Sequence, residues 1–492
     1  MNPAWRVAAV HPALWEELSF EGCTARVDDA TLAALCAHAA AALRTLDLEG
    51  DACARVTGKG MLTALQGGGC TGLRRLSTPF VLEEEWTLTT LTAEQVQQLT
   101  AACPRLTHAA CVVRGSILDA VAAAAALPGP LLFDCSGHDC SEGLTQLADC
   151  LLVNTTLTSL DLGANDIDPA GATLLAECLR VNKALTSLDL SQNNFGDGAT
   201  ELAECLRVNI TLTSLNLRSN DIDDVDATRL ADCLLVNTTL TSLDLSYNEV
   251  GDAGATQLAE CLRVNATLTS LNLGGNEIGD AGTTRLAQCL RANATLTSLN
   301  FSENNTGIVV ATELARCLRV NARPTILDLG GNDFGDRGAS QLAKSLRVNA
   351  TLTSLRLARN DIRDEGAMQL ADCLRVNATL TCLDLGSNDI GVAGATRLAD
   401  FLRVNATLMS LSLAYNRIGD VGATRLAECL RDNATLSSLN LDCANIGDAG
   451  ATQLAECLRV NAALTSLDLT DNRIVDADAF RAAFPPQCTL SI

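Results

Sequence analysis

The 492-residue chain is short of aromatics, of histidine and of positive charge. Phe, Trp and Tyr make up only 3%, so a core must come from the Leu, Ala, Val, Ile and Cys that dominate its 48% apolar content. Lys and Arg number 35 against 58 Asp and Glu, a formal net charge of −23. So acidic a surface argues against duplex nucleic acid, whose binding is driven by basic clusters, and against an anionic membrane. It favours solubility and steers cationic partners. No run reaches the roughly eighteen apolar residues of a spanning helix; the stretch at 119–132 is too short and is broken by prolines. The opening MNPAWRVAAVHPALWEEL lacks the basic, apolar and small-residue succession of a signal peptide.

Catalytic chemistry is missing too. The four histidines, His11, His38, His108 and His138, are scattered. TGKG at 57–60 hints at a phosphate loop, but Cys53 stands where a Gly is required and Gly60 where a Ser or Thr is. No cofactor, metal or nucleophile set follows, and the chain reads as a non-enzyme.

What the chain has is repetition. Residues 153–182 read VNTTLTSLDLGANDIDPAGATLLAECLRVN, and 264–293 read VNATLTSLNLGGNEIGDAGTTRLAQCLRAN. The central Leu recurs at 160, 188, 215, 243, 271, 299, 327, 355, 383, 411, 439 and 467, in steps of 28 apart from one step of 27 at 188–215. Phe133 takes the same place one unit upstream. The unit fits L-x-x-L-x-L-x-x-N-x-L, as in Leu240, Leu243, Leu245, Asn248 and Val250. TSLDL alternates and predicts a short strand. Ala255, Leu258, Ala259 and Leu262 fall on one helix face. Asp252 is placed to cap the start of that helix, and Asn265 sits where a left-handed C-terminal cap is expected. One strand and one helix cannot bury their apolar faces alone, so neighbours must stack. Helices about 10 Å apart are wider than strands about 4.8 Å apart, so the stack curves with the strands inside. The expected fold is α/β: a right-handed βα superhelix, a horseshoe solenoid with a concave parallel sheet and convex helices.

At 28 residues with a full helix, the unit resembles the ribonuclease-inhibitor class of leucine-rich repeats, and GAxxLAxxLxVNxTLTSLDL looks like the repeats of NLR-type receptors. The resemblance covers residues 131–480. Residues 23–130 read as divergent repeats forming an N-terminal cap: LRTLDLEG (43–50) and GLRRLSTPF (72–80) as strands, and TAEQVQQLTAACPRLTHAACVV (92–113) as a helix and strand, with Thr92 and Gln95 as a capping box. Residues 481–492 read as a C-terminal cap. In residues 1–22, Trp5, Pro12, Leu14 and Trp15 are similar to the tail of an F-box, which implies an SCF adaptor as partner if the rest of that motif lies upstream.

Ten cysteines form one column, from Cys150 to Cys457, on the helix flank. Helices about 8–10 Å apart exceed disulfide reach, so these thiols are expected to be packing residues. Reduced thiols and the missing signal peptide place the chain in the cytoplasm or nucleus. Ten glycosylation sequons are present, nine at the helix-cap Asn, and none is expected to carry sugar.

The concave face is then the expected binding surface. Its outward column runs mostly Asp or Asn, from Asp161 to Asp468. It reads either as a solvated face or as an acidic cradle for a protein with a basic surface. Both tyrosines, Tyr247 and Tyr415, precede a repeat Asn at the rim, and one repeat carries Arg356, Arg359 and Arg363. Aromatics and Arg are the usual interface anchors, although Arg356 can also pair with Asp328 and Asp384 on the flanking strands. Three functions fit: a protein-interaction scaffold, the substrate receptor of an SCF-type ubiquitin ligase, or a regulator of a small GTPase. The apolar ending FRAAFPPQCTLSI disfavours the last, because that class carries an acidic tail.

Overall fold

The computed structural model describes residues 157–475 apart from 197, 305, 321 and 322, together with 143–155 and 488–492. Between 17 and 134 it describes 17–19, 29–39, 42–43, 45–48, 56–71, 73–77, 93–104, 108–110, 112–114 and 132–134. The chain divides into two compact units, Met1–Asp221 and Ile222–Ile492.

In the second unit each repeat gives a three-residue strand followed by a helix: Ser242–Asp244 then Asp252–Leu262, Ser270–Asn272 then Asp280–Leu290, and so on to Ser466–Asp468. Neighbouring strands are parallel and offset by one repeat, so Leu243 faces Leu271 and Leu271 faces Leu299. These leucines are at most 2% exposed. The alternation therefore sets the register: Leu points inward, Ser and Asp or Asn outward. The helix face read from the sequence is the buried one, with Ala255, Leu258, Ala259 and Leu262 all in the core. Thr489–Ser491 adds a last strand beside Ser466–Asp468. The result is a βα solenoid.

Buried backbone groups need partners, and two asparagine ladders supply them. Asn276 donates to the Leu245 carbonyl one repeat back (2.9 Å) and to its own Leu273 carbonyl, and its Oδ1 accepts from Val250 N–H at 3.0 Å. Asn265 does not adopt the left-handed cap expected of it, because the helix continues into Arg263 with right-handed geometry. Its Oδ1 instead accepts from Thr267 and Leu268 N–H, and its Nδ2 donates to the Leu234 carbonyl at 2.8 Å. The sequon asparagines of this column, Asn209 to Asn433, are at most 8% exposed. Their amides are consumed by the fold, which leaves no room for glycosylation.

Asp252 does not cap its own helix either, whose N-cap is Gly251 without a side-chain bond. It accepts from Gly279 and Gly282 N–H of the next repeat, at 3.0 and 2.7 Å. Asp224, Asp364 and Asp420 do the same for their following helices. This explains the second Gly of GDAG: a Cβ on Gly282 would lie 2.9 Å from both Asp252 Oδ1 and Ala255 Cβ.

The first unit holds parallel strands Glu17–Ser19, Thr45–Asp47, Arg75–Ser77 and His108–Ala110 in one sheet. Further strands run from Val112–Arg114 to Ser214–Asn216, and Phe133 faces Leu160 as the repeat places it. The strands read at 43–50 and 72–80 and the helix after 92 are present, the last as Ala93–Ala102; Thr92 lies outside the described residues. The 27-residue step corresponds to a shortened helix, Gly198–Leu206. TGKG is a helix start. Thr57 Oγ1 accepts from Gly60 N–H, while Asp29, 28 residues earlier, accepts from both Thr57 N–H and its hydroxyl at 2.7 Å. The inter-repeat cap thus extends into the divergent region. The F-box-like residues Trp5 to Trp15 lie outside the described residues.

The sixteen described cysteines are free, and most are buried. Burial pushes Cys205, Cys261, Cys289, Cys317 and Cys373 up to about 12. Cys36 and Cys70 lie in hydrogen-bonding contact: that bond raises Cys36, with burial adding to it, and lowers Cys70. No described helix is long and apolar enough to cross a membrane.

Candidate functional site

The sheet face is built from a few columns, and the structure gives each a different job. The Asp or Asn that ends each strand turns its Oδ1 back on the loop. All ten such residues, from Asp161 to Asp468, accept the N–H two residues on, at 2.8 to 3.0 Å. Asp189 and Asp244 give their second oxygen to Asn216 and Asn272 of the following strand, at 2.7 and 2.8 Å. The acidic column keeps its charge, but much of its hydrogen-bonding capacity is spent on turning the chain.

Two residues depart from this column, Arg356 and Ser412. Arg356 has no acceptor for the loop N–H. It reaches across to Asp328, Nη1 to Oδ2 3.4 Å, with its side chain 60% exposed. The second partner expected for it, Asp384, engages Gly386 N–H of its own loop. Arg363 leaves this group: it is the N-cap of the helix Asp364–Leu374, and its N–H donates to Asp336.

The residue before each repeat Asn takes a left-handed backbone. Tyr247, Glu303, Arg359 and Tyr415 have φ of 53–54°, and Gly275 and Gly331 have 66° and 64°. Such a conformation costs a non-glycine residue about 1–2 kcal/mol, and the sheet holds it through ladder bonds such as Tyr247 N–H to the Gly274 carbonyl at 2.8 Å. Side chains of this column therefore project at the rim. There the structure brings together Tyr247 and Arg359 through a residue the sequence reading missed, Glu303. Tyr247 Oη donates to Glu303 Oε2 at 3.0 Å, and Arg359 Nη1 meets Glu303 Oε1 at 3.4 Å, each pair two repeats apart. The intervening glycines permit it: a Cβ on Gly275 would lie 2.8 Å from the Tyr247 ring, and one on Gly331 2.6 Å from Glu303 Cγ. Alternation of large residue and glycine was the available signal. Such exposed pairs add about 0–1 kcal/mol, so the ridge orders side chains more than it stabilises the fold.

Tyr415 stands two strands beyond Arg356, beside Asp442 and Cys443; the Asp442 charge, followed by the hydrogen bond with Cys443, raises its phenol pKa. Asp442, Cys443 and Asp471 bring a thiol and two carboxylates within 4.8 Å of one another. Three exposed or half-exposed groups do not by themselves make a metal centre.

Three further departures were not singled out from the sequence. Ile326 replaces a Ser and is 46% exposed, Cys382 replaces another Ser, and Met409 replaces a Thr and is 55% exposed. With Arg356 and Ser412 they fall on, or for Met409 immediately before, four consecutive strands, from Ile326–Asp328 to Ser410–Ser412. A column-by-column reading of the repeat would have found them.

The family model described as Leucine Rich repeat matches residues 153–176, 181–200, 208–231, 236–259, 264–287, 325–343, 348–371, 376–399, 404–427, 432–455 and 460–480, just over half of the chain. The chain is a leucine-rich repeat protein. No curated protein matches it. Among solved structures, this leucine-rich repeat protein is similar to leiomodin-1 actin-binding site 2, at 27% identity over 31% of this chain and 88% of that one, with a TM-score of 0.28. It is also similar to a chain of the yeast Rad7–Elc1 complex, at 17% identity over 81% of this chain and 88% of that one, with a TM-score of 0.48.

Proposed function

We propose that the chain is a non-enzymatic scaffold that binds a protein partner on its sheet face, centred on the strands from Ile326–Asp328 to Ser410–Ser412. The observation that carries this reading is the clustering of departures. Apart from Ser437, a conservative change, columns that are otherwise Thr, Ser and Asp or Asn change to Ile326, Arg356, Cys382, Met409 and Ser412 on, or for Met409 immediately before, four consecutive strands. Arg356 gives up a loop hydrogen bond that all ten Asp and Asn of its column make, and half-exposed Ile326 and Met409 add nothing to the core. Apolar and Arg anchors ringed by polar groups are the composition of an interface centre. Asp328 and Asp384 beside them, and the acidic strand ends beyond, suit a partner with a basic rim.

Cys382 supplies the test, because it is partly exposed inside the patch while the helix-column thiols from Cys178 to Cys457 are buried. In the free protein, maleimide is expected to label Cys382 quickly and the buried column only after unfolding. A partner captured on the intact protein is expected to slow Cys382 labelling at least about tenfold. Unchanged labelling with the partner still bound would place the interface elsewhere. The SCF-receptor reading rests on the F-box-like segment at 5–15. Recovery of an SCF adaptor with the full-length protein would support it.

A further inference from the structure

The helix side carries a second anomaly, of opposite charge. Most helices end in Leu-Arg-Val-Asn, with Leu152 and Leu235 in place of the Arg at two of them and Ala292 and Asp432 in place of the Val at two more, so along most of the repeats an exposed Arg stands one repeat from the next. The residue three places before that Arg is acidic at every repeat from Glu177 to Glu456 except three in succession, where it is Gln288, Arg316 and Lys344. A carboxylate at this place can pair with the Arg, as Glu260 does with Arg263 at 3.3 Å. Where it is lost, charge is left over. Arg291, Arg319, Lys344 and Arg347 are exposed and form no ion pair among the described residues. Arg316 pairs with Glu313 of its own helix.

Two features turn this excess charge into a surface with a shape. Between the helices Asp252–Leu262 and Asp280–Leu290 lies a recess of about 320 Å³ whose lining includes Arg263, Arg285, Gln288 and Arg291, against the single carboxylate of Glu260. Val320 and Val348, next to Arg319 and Arg347, are 63% and 62% exposed and offer apolar contact between the charges. In a chain of net charge −23, three consecutive repeats with this bias stand out from the rest.

We propose that the exposed ends of the helices Asp280–Leu290, Ile308–Leu318 and Gly335–Leu346 form a docking strip for an extended acidic peptide segment of a partner protein. Adjacent helices lie about 10 Å apart, and three residues of extended chain span about 10 Å. A segment with a carboxylate at every third residue can therefore meet Arg291, Arg319 and Arg347 in turn, with small aliphatic residues between them resting on the valines. Guanidinium groups offer paired donors to each carboxylate. This surface is independent of the sheet-face proposal, and either can fail without the other.

The probe is a fluorescein-labelled synthetic peptide, Glu-Val-Ser-Glu-Val-Ser-Glu-Val-Ser, titrated with the full-length protein by anisotropy at low salt. Saturable binding is expected, weakening as sodium chloride is raised. A peptide of the same composition with its three Glu in one block is expected to bind at least about threefold more weakly. The decisive variant is Gln288→Glu/Arg316→Glu/Lys344→Glu, which restores what neighbouring repeats carry and so keeps the fold. It is expected to lose at least about tenfold in affinity. Absence of binding by the intact protein, equal binding by the triple variant, or equal affinity for ordered and blocked peptides would overturn the proposal. So would binding of oligouridine or anionic vesicles more tightly than the ordered peptide.

Discussion

Leu271→Asp is expected to lower stability by about 4 kcal/mol or more, while Asn272→Ala lowers it by about 1 kcal/mol. The two residues are adjacent but face opposite ways. Leu271 is 1% exposed and lies between Leu243 and Leu299 of the flanking strands. An aspartate there loses the apolar contacts and buries a charge with no cation nearby. The damage also spreads to both neighbours, because a solenoid repeat is held mainly by its two interfaces. Asn272 would read as a solvent residue of no consequence from its sequence position alone. Its Nδ2 donates to Asp244 at 2.8 Å and its Oδ1 accepts from Gly274 N–H at 3.0 Å, which raises its forecast to one or two modest bonds. Urea midpoints of the two variants rank them, and Asn272→Ala as the more damaging change would contradict the strand register.

Binding should respond most to Arg356→Ala/Tyr415→Ala. The two anchors lie two strands apart, about 10 Å, which one helix or loop of a partner spans. Arg356 presents a 60% exposed side chain held by a 3.4 Å pair with Asp328. That pair is worth at most about 1 kcal/mol at this exposure, so the substitution leaves the fold intact. Tyr415 offers a rigid ring with a polar tip, held at the rim by its left-handed backbone. Loss of such anchors typically weakens binding by about 2 kcal/mol or more, roughly thirtyfold. Calorimetry with a purified partner checks this, with Tyr247→Ala as the comparison at the far end of the Glu303 ridge. Equal affinity of the folded double variant would move attention to that ridge.

Much of the fold was legible because one physical rule was written many times over. The 28-residue period gives strand spacing, the alternating TSLDL gives the direction of Leu271, and the apolar spacing from Ala255 to Leu262 gives the buried helix face. What was not legible depends on contacts one or two repeats away. Asp252 reads locally as a cap for its own helix, and only the stacked geometry hands its carboxylate to Gly279 and Gly282. Asn265 follows the helix as a C-terminal cap would, yet its amide is taken by a carbonyl 31 residues back. Arg363 looks like a companion of Arg356 in sequence and lies at a helix start. The interface candidates were half legible. Tyr and Arg stand out by type, whereas Ile326, Cys382 and Met409 stand out only against the same column in other repeats, and Glu303 only once Gly275 and Gly331 are seen to make room for it.

The central claim is that partner contact is confined to the strands where the repeat breaks its own pattern. A photo-crosslinking residue placed in turn at Ile326, Met409, Thr269 and Thr465 tests it most directly. All four positions face outward on the same sheet, and only the first two lie in the patch. The expected result is a covalent adduct with the bound partner from Ile326 and Met409, and none from Thr269 or Thr465. Equal adducts from all four positions, or adducts only from Thr269 and Thr465, would contradict it.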